Sequence, residues 1–205
     1  TVVNLNYTAS VEATQAALAK AGIRTVFTST RFLDRLEQRG IDGRALVAGA
    51  TIYPLEDFQP QISQLRRILT LLQAVLLPGW LLKLLYMKRM PLESPAAILF
   101  SSGSEGIPKG VMLSHRNIMA NIKQMSDVLN TEDNDVLMAT LPIFHAFGLT
   151  AATLMPLVEG IPMVCHPDST DAVNIGKAVA EYRGTILFGT STFLRLYAKN
   201  PRVHH

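Results

Sequence analysis

Short β-branched and apolar runs alternate along the chain with stretches whose apolar residues recur at helical spacing, the order expected of strands covered by crossover helices. Ser10 is placed to cap a helix reaching about Lys20, with Gly22 as its stop, and residues 25–28 read as a strand before a second short helix ending near Gln38. A further short strand is expected over residues 51–53. Residues 96–100 have the unbroken apolar character of a buried strand, and Ser114 precedes a helix from His115 to about Leu129. Residues 136–141, 162–165 and 185–188 read as strands, with helices over 151–158, 172–182 and 193–198. The pattern predicts an α/β fold of sheets flanked by helices, with no internal repeat and no low-complexity tract.

Residues 62–90 stand apart as an apolar, basic-flanked helical segment. No charge occurs from Ile68 to Leu82, while Arg66, Arg67, Lys83, Lys88 and Arg89 surround that run. A bilayer-spanning helix needs about 20 apolar residues, and Pro78-Gly79 breaks this run in the middle. Leu65, Ile68, Leu69, Leu72 and Leu76 share one helical face, so an amphipathic helix is predicted. Two readings stay open. One is a surface element with Trp80 at a membrane interface or beside an acyl-chain site. The other is an ordinary helix packed on a sheet, the commoner fate of such a stripe.

Composition narrows the classes. The chain has 205 residues, enough for one α/β domain or two small ones, with 48% hydrophobic and 17% charged residues. Soluble domains average about 25% charged, so the composition argues against disorder and for extensive burial. The formal net charge is +3 and the bases form no long run, so no nucleic-acid partner is expected. The single Cys165 forms no intrachain disulfide, which suits a reducing compartment, and its place in an apolar strand predicts a buried residue. No Cys/His cluster has metal-ligand spacing, so no metal site is expected. The start Thr1-Val2-Val3 has neither an initiator methionine nor a signal stretch, and the chain is expected to be a piece of something longer.

The chemistry concentrates in Ser101-Ser102-Gly103-Ser104-Glu105-Gly106-Ile107-Pro108-Lys109-Gly110, directly after a strand. Glycines let the backbone approach an anion, serine hydroxyls and main-chain N–H groups donate to phosphate oxygens, and Lys109 adds a positive charge. Pro108 fixes φ just before that lysine. The order of residues fits neither a Walker A loop nor a dinucleotide-binding fingerprint.

This string resembles the phosphate-loop signature of the adenylate-forming (AMP-binding) superfamily, which includes acyl-CoA synthetases, luciferases and the adenylation domains of peptide synthetases. The continuation Val111-Met112-Leu113-Ser114-His115 is similar to the family's passage through a strand into a helix. A second segment, Leu141-Pro142-Ile143-Phe144-His145-Ala146-Phe147-Gly148, resembles the family's Pro-x-Phe-His-x-x-Gly motif. Residues 185–194 look like the strand-to-helix step that lines the acyl pocket, with Thr190-Ser191-Thr192 where many relatives carry proline. That departure, Glu105, and Asn4-Leu5-Asn6-Tyr7-Thr8 are most similar to the acyl-[acyl carrier protein] synthetase part of bifunctional synthetases fused to a 2-acylglycerophosphoethanolamine acyltransferase.

The resemblance implies ATP-dependent activation of a fatty acid to acyl-AMP, with ATP and accompanying Mg2+ as cofactors and transfer to acyl carrier protein. Coenzyme A is the alternative acceptor, and a catalytically silent nucleotide-binding or interaction module is the alternative outside the enzymes. It assigns Ser101, Ser102, Gly103, Ser104, Gly106 and Lys109 to the triphosphate and departing pyrophosphate, with Glu105 shaping the loop. His145 is implied to neighbour the carboxylate and act as a gate; read alone, beside Phe144 and Phe147, it would be a packed core histidine. The His166-x-x-x-x-Asp171 spacing of glycerolipid acyltransferases also occurs, but two fixed letters recur by chance and Pro167 marks an ordinary turn.

The family's later signatures, Tyr-Gly-x-Thr-Glu and Tyr-x-x-Gly-Asp, do not occur, nor does the C-terminal lid domain with its lysine. Residues 1–205 are therefore expected to be an interior fragment of the large N-terminal adenylation domain, inactive alone and packing partly against the rest of its parent chain. A cytoplasmic location, peripheral or anchored at the inner membrane through the parent, is the matching expectation.

Overall fold

The computed structural model describes residues 1–101 and 108–203. They fall into two compact units, the first formed by Thr1–Asn6, Leu92–Phe100 and Val111 onward, the second by Tyr7–Pro91 and Ser101–Gly110. In chain order the elements are β1 (Val2–Val3), α1 (Val11–Ala21), β2 (Thr25–Thr28), α2 (Thr30–Gln38), α3 (Gly43–Leu46) and β3 (Thr51–Pro54). A 3₁₀ turn (Leu55–Phe58), α4 (Gln64–Leu76), α5 (Gly79–Tyr86), β4 (Pro95–Ser101), β5 (Lys109–Ser114) and α6 (His115–Leu129) follow. The chain continues through β6 (Leu137–Ala139), α7 (Ala146–Leu149), a π-helical turn (Thr150–Leu154), α8 (Met155–Glu159), β7 (Met163–Cys165), α9 (Ala172–Tyr182), β8 (Ile186–Leu187) and α10 (Ser191–Lys199).

The first unit holds two sheets. One has the order β1-β4-β5, with β1 parallel to β4 and Val2 opposite Ala97. The other has the order β7-β6-β8 and is wholly parallel, Leu137 facing Met163 on one side and Ile186 on the other. Its core joins Ala97, Leu99, Ile118, Ile122, Leu137 and Met155. Leu137 and Met138 have no exposed surface, as expected for a strand covered on both faces. Thr185 clips the entrances of β6 and β8 together, its hydroxyl donating to Asp135 Oδ1 at 2.6 Å and accepting from the Val136 N–H at 3.0 Å. That bond holds the Asp135 carboxyl below its ordinary pKa.

Local signals account for the helix ends. The Ser10 hydroxyl accepts from the Ala13 N–H, and Gly22 closes α1 at φ 63°, a conformation costly for a side chain with Cβ. Ser114 and Asn117 form a reciprocal capping box at the start of α6.

In the second unit β2 and β3 pair in parallel, and Leu18, Leu33, Leu36 and Leu46 are buried. Ser29 precedes α2 but makes no cap bond with it. Its hydroxyl instead donates to Glu56 Oε1 at 2.6 Å, while the Thr30 N–H donates to Oε2 at 3.1 Å. A carboxylate from the turn after β3 thus supplies negative charge at the α2 N-terminus, where the helix dipole favours it.

Several boundaries differ from the sequence reading. The helix expected to begin at residue 151 begins at Ala146, and the strand expected over 136–141 is limited to Leu137–Ala139, because the Thr140 N–H leaves the ladder and donates back to the Met138 carbonyl at 3.1 Å. The short β1 and α3 lack the length for a periodic signal. Pro78 divides the apolar segment into α4 and α5, and neither helix has a buried residue. The packed-on-a-sheet reading of that segment is not what the structure shows.

The Ser29 hydroxyl, followed by the backbone N–H groups of Glu56 itself and of Thr30, pulls the Glu56 carboxyl from 4.5 down to about 2. A carboxyl whose folded pKa is depressed stabilises the fold above its unfolded pKa, and that contribution disappears as pH falls through the interval from 4.5 to about 2. Ser29→Ala is expected to move the Glu56 titration, followed by NMR, upward toward the ordinary carboxylate value and to flatten the acid limb of the unfolding curve.

Candidate functional site

The turn bearing His145 grows from the carboxyl end of β6. Phe144 is buried at 5% exposure, and its ring centroid lies 4.6 Å from that of His145. His145 itself is exposed, so the packed-histidine alternative does not hold. The chain reverses through the His145 N–H, which donates to the Pro142 carbonyl at 3.2 Å, and the Leu149 N–H then donates to the His145 carbonyl at 2.9 Å. Gly148 is required by close approach: a Cβ there would meet the Pro142 carbonyl oxygen at 2.0 Å. Just after β1, Asn4 Nδ2 donates to the Ile143 carbonyl at 3.3 Å and braces the same turn.

Beyond the turn the helix widens. The Met155 N–H reaches the Thr150 carbonyl, five residues back, because Pro156 has no N–H and its ring would collide with the carbonyl of an ordinary α turn. Thr153 Oγ1 donates to the Gly148 carbonyl at 2.9 Å and Thr150 Oγ1 to the Ala146 carbonyl at 2.7 Å. The Phe147 ring stands 5.4 Å from Phe188, which links the turn to the strand-to-helix step between β8 and α10.

Of the predicted phosphate loop, Ser102, Gly103, Ser104, Glu105 and Gly106 lie outside the described residues. Its two ends are described. Ser101 is the last residue of β4 and Lys109 the first of β5, both exposed, so the loop joins neighbouring strands of one sheet. Pro108 is buried, and its carbonyl accepts from Lys20 Nζ at 3.1 Å. Lys20 was not among the residues singled out from the sequence. It lies 88 positions from Pro108, and no local signal could have joined them.

The profile of AMP-binding enzymes matches residues 1–204. The chain belongs to the AMP-binding enzyme family. It is similar to 4-coumarate–CoA ligase 2 of Oryza sativa subsp. japonica, 32% identical over 115 residues that cover 54% of this chain and 20% of the ligase. It is likewise similar to the olefin β-lactone synthetase of Stenotrophomonas maltophilia, 33% identical over 110 residues, 54% of this chain and 20% of that protein. The chain thus spans about a fifth of the length of the curated relatives it matches.

The fold is shared with o-succinylbenzoate CoA synthetase from Bacillus subtilis in complex with its acyl-adenylate intermediate. That match has a TM-score of 0.70 and 17% identity, covering 97% of this chain and 45% of the other. ATP-bound MatB from Rhodopseudomonas palustris matches with a TM-score of 0.66 and 26% identity, covering 98% of this chain and 36% of the other. This AMP-binding chain therefore has the α/β fold expected of the N-terminal domain of acyl-CoA synthetase/luciferase-like enzymes.

Three other side chains of this AMP-binding chain carry candidate chemistry: Cys165, His166 and Asp171. Cys165 is exposed rather than buried, because β7 lies at the edge of its sheet and Cys165 is its last residue. His166 Nε2 and Asp171 Oδ2 do approach to 3.6 Å. Asp171 is, however, committed to capping α9 through the Asn174 N–H and Nδ2, and the Asp168 N–H donates to His166 Nδ1 at 3.3 Å. The pair shapes a turn; the bonds from Asn174, with a smaller effect of His166, lower the Asp171 pKa. Among the described residues no group of three or more His, Cys, Asp or Glu side chains could hold a metal ion.

Gly148→Ala is expected to destabilise the fold by about 2–3 kcal/mol, because the added methyl overlaps backbone that cannot yield like a side-chain tip. His145→Ala, which removes an exposed side chain together with its ring contact to Phe144, is expected to cost no more than about 1 kcal/mol. Denaturant unfolding of the two variants checks both.

Proposed function

We propose that the protein to which this chain belongs activates a fatty acid by ATP-dependent adenylation and passes the acyl group to a thiol. The observation that carries the reading is the ordered Ser101–Gly110 string on the connection between β4 and β5, with Lys109 exposed at its exit. A carboxylate and a triphosphate repel each other, so a site that joins them needs fixed N–H donors and a mobile cation. The described ends of the loop fit that need: an exposed hydroxyl at Ser101, an exposed ammonium at Lys109, and a backbone at Pro108 tethered by Lys20. ATP, arriving with Mg2+, supplies the adenylyl group.

Lys109 offsets anionic charge, and Ser101 with Ser102, Gly103, Ser104 and Gly106 donates to phosphate oxygens, Glu105 shaping the loop. His145 stands at the mouth of its turn and orients or gates the incoming carboxylate. It does not act as general base, since a carboxylate at neutral pH has no proton to lose. The rigid support of β6, Phe144 and Gly148 suits a positioning task.

The thiol is the finer question. Thr190-Ser191-Thr192 at the start of α10 and Glu105 in the loop favour acyl carrier protein through their likeness to the bifunctional acyl-carrier-protein synthetases. Coenzyme A has at least equal support, because relatives such as 4-coumarate–CoA ligase 2 are named for it. Full-length protein offered both acceptors separates the two.

Fatty-acid-dependent exchange of pyrophosphate into ATP by the full-length protein tests the activation step. Lys109→Ala is expected to lower the exchange rate about a hundredfold, in the range for loss of one preorganised donor to developing negative charge. His145→Ala is expected to lower it by more than the small loss of stability from its Phe144 contact accounts for, with the protein still folded at the assay temperature. ATP binding without any acid-dependent exchange in the full-length protein would instead identify a silent nucleotide-binding module.

A further inference from the structure

We propose that α4 and α5 form a docking surface for an anionic lipid bilayer, lying in its interface rather than crossing it. The two helices are 13 and 8 residues long, and no described helix is long and apolar enough to cross a membrane. Their apolar side chains nonetheless face outward. Val75 is 72% exposed, Leu76 71%, Trp80 69% and Leu84 73%, and the Leu65, Ile68, Leu69 and Leu72 stripe is exposed with them. Tyr86 donates its hydroxyl to Gln73 Oε1, which ties the two helices to each other. Contiguous apolar surface of this kind marks an interaction site.

Charge selects the occupant. Between residues 58 and 92 the chain has five basic side chains, Arg66, Arg67, Lys83, Lys88 and Arg89, and no acidic one. The rest of the chain carries 14 basic and 16 acidic residues, so the positive charge is local to the apolar segment. Among the described residues none of the five takes part in an ion pair. Arg66 and Arg67 also lie in the first turn of α4, where no acidic residue balances the positive end of the helix dipole. An external anionic surface relieves both penalties.

A second copy of the chain fits poorly, because like faces would set five cations against five with nothing to neutralise them. A bilayer with acidic headgroups meets each feature at once. Leucines enter the acyl boundary, Trp80 sits at headgroup level, and the long basic side chains reach back to phosphate.

Co-sedimentation of the chain with vesicles tests the proposal, using phosphatidylcholine alone against phosphatidylcholine mixed with phosphatidylglycerol. Binding is expected to be at least about tenfold tighter to the anionic vesicles, with a blue shift in the emission of Trp80, the single tryptophan. Arg66→Ala with Arg67→Ala is expected to weaken that binding about tenfold to thirtyfold, each basic residue contributing near the surface. Raising salt on the unaltered chain is expected to release it, a readout that does not depend on any variant folding. Equal binding to both vesicle types, no binding, or unchanged Trp80 emission overturns the proposal. So does a stable dimer whose Trp80 emission is already blue-shifted without lipid, which would mean that a second copy covers the face.

Discussion

Burial of β6 on both faces is the constraint on which the larger unit rests. Leu137 and Met138 expose nothing, and each neighbouring strand runs parallel to β6 in fixed register. A strand enclosed in this way cannot slip by a residue without forcing every side chain into the wrong packing. The turn at its carboxyl end is therefore delivered to one place. Open α/β sheets gather ligand-binding groups at the carboxyl ends of their strands, where helices do not cover the sheet. His145 occupies such a position, exposed on a support whose other members, Phe144, Gly148 and Leu149, are buried.

The helical run after that turn shows how a local irregularity follows from sequence and packing together. Pro156 withholds an N–H, and the chain answers with one π turn rather than a break, because Thr150 and Thr153 satisfy carbonyls in the preceding turns. Gly148 lets the start of the helix press against the Pro142 backbone. Proline, glycine and the two threonines thus set the path of one segment, and each would read as unremarkable polar or breaker chemistry in isolation. The periodic pattern saw only the second half of this run, since its first turn coincides with a motif rich in aromatic residues and glycine.

Two apolar stretches of similar composition have opposite fates. Residues 96–100 contribute Ala97 and Leu99 to the core, while the aliphatic stripe of α4 stays outside it. Hydrophobicity alone does not distinguish them. The difference is that β4 has a strand on each side and α6 and the π turn among the elements of its core, whereas no residue of α4 or α5 is buried. The two stretches also differ in their flanks: five basic residues and no acidic one lie between residues 58 and 92.

Helix starts and stops were legible because their causes are local. Ser10, Gly22 and Ser114 act on backbone groups within four residues, so spacing alone announces them. The loop string and the His145 motif were legible for a similar reason, since each is a contiguous set of residues whose order carries the chemistry. Exposure was not. Cys165 emerges because β7 is an edge, Lys20 meets Pro108 across 88 positions, and Glu56 serves Ser29 from another element. Which neighbour fills a face or a hydrogen bond depends on chain segments far apart in sequence, and no periodicity or cap records that choice.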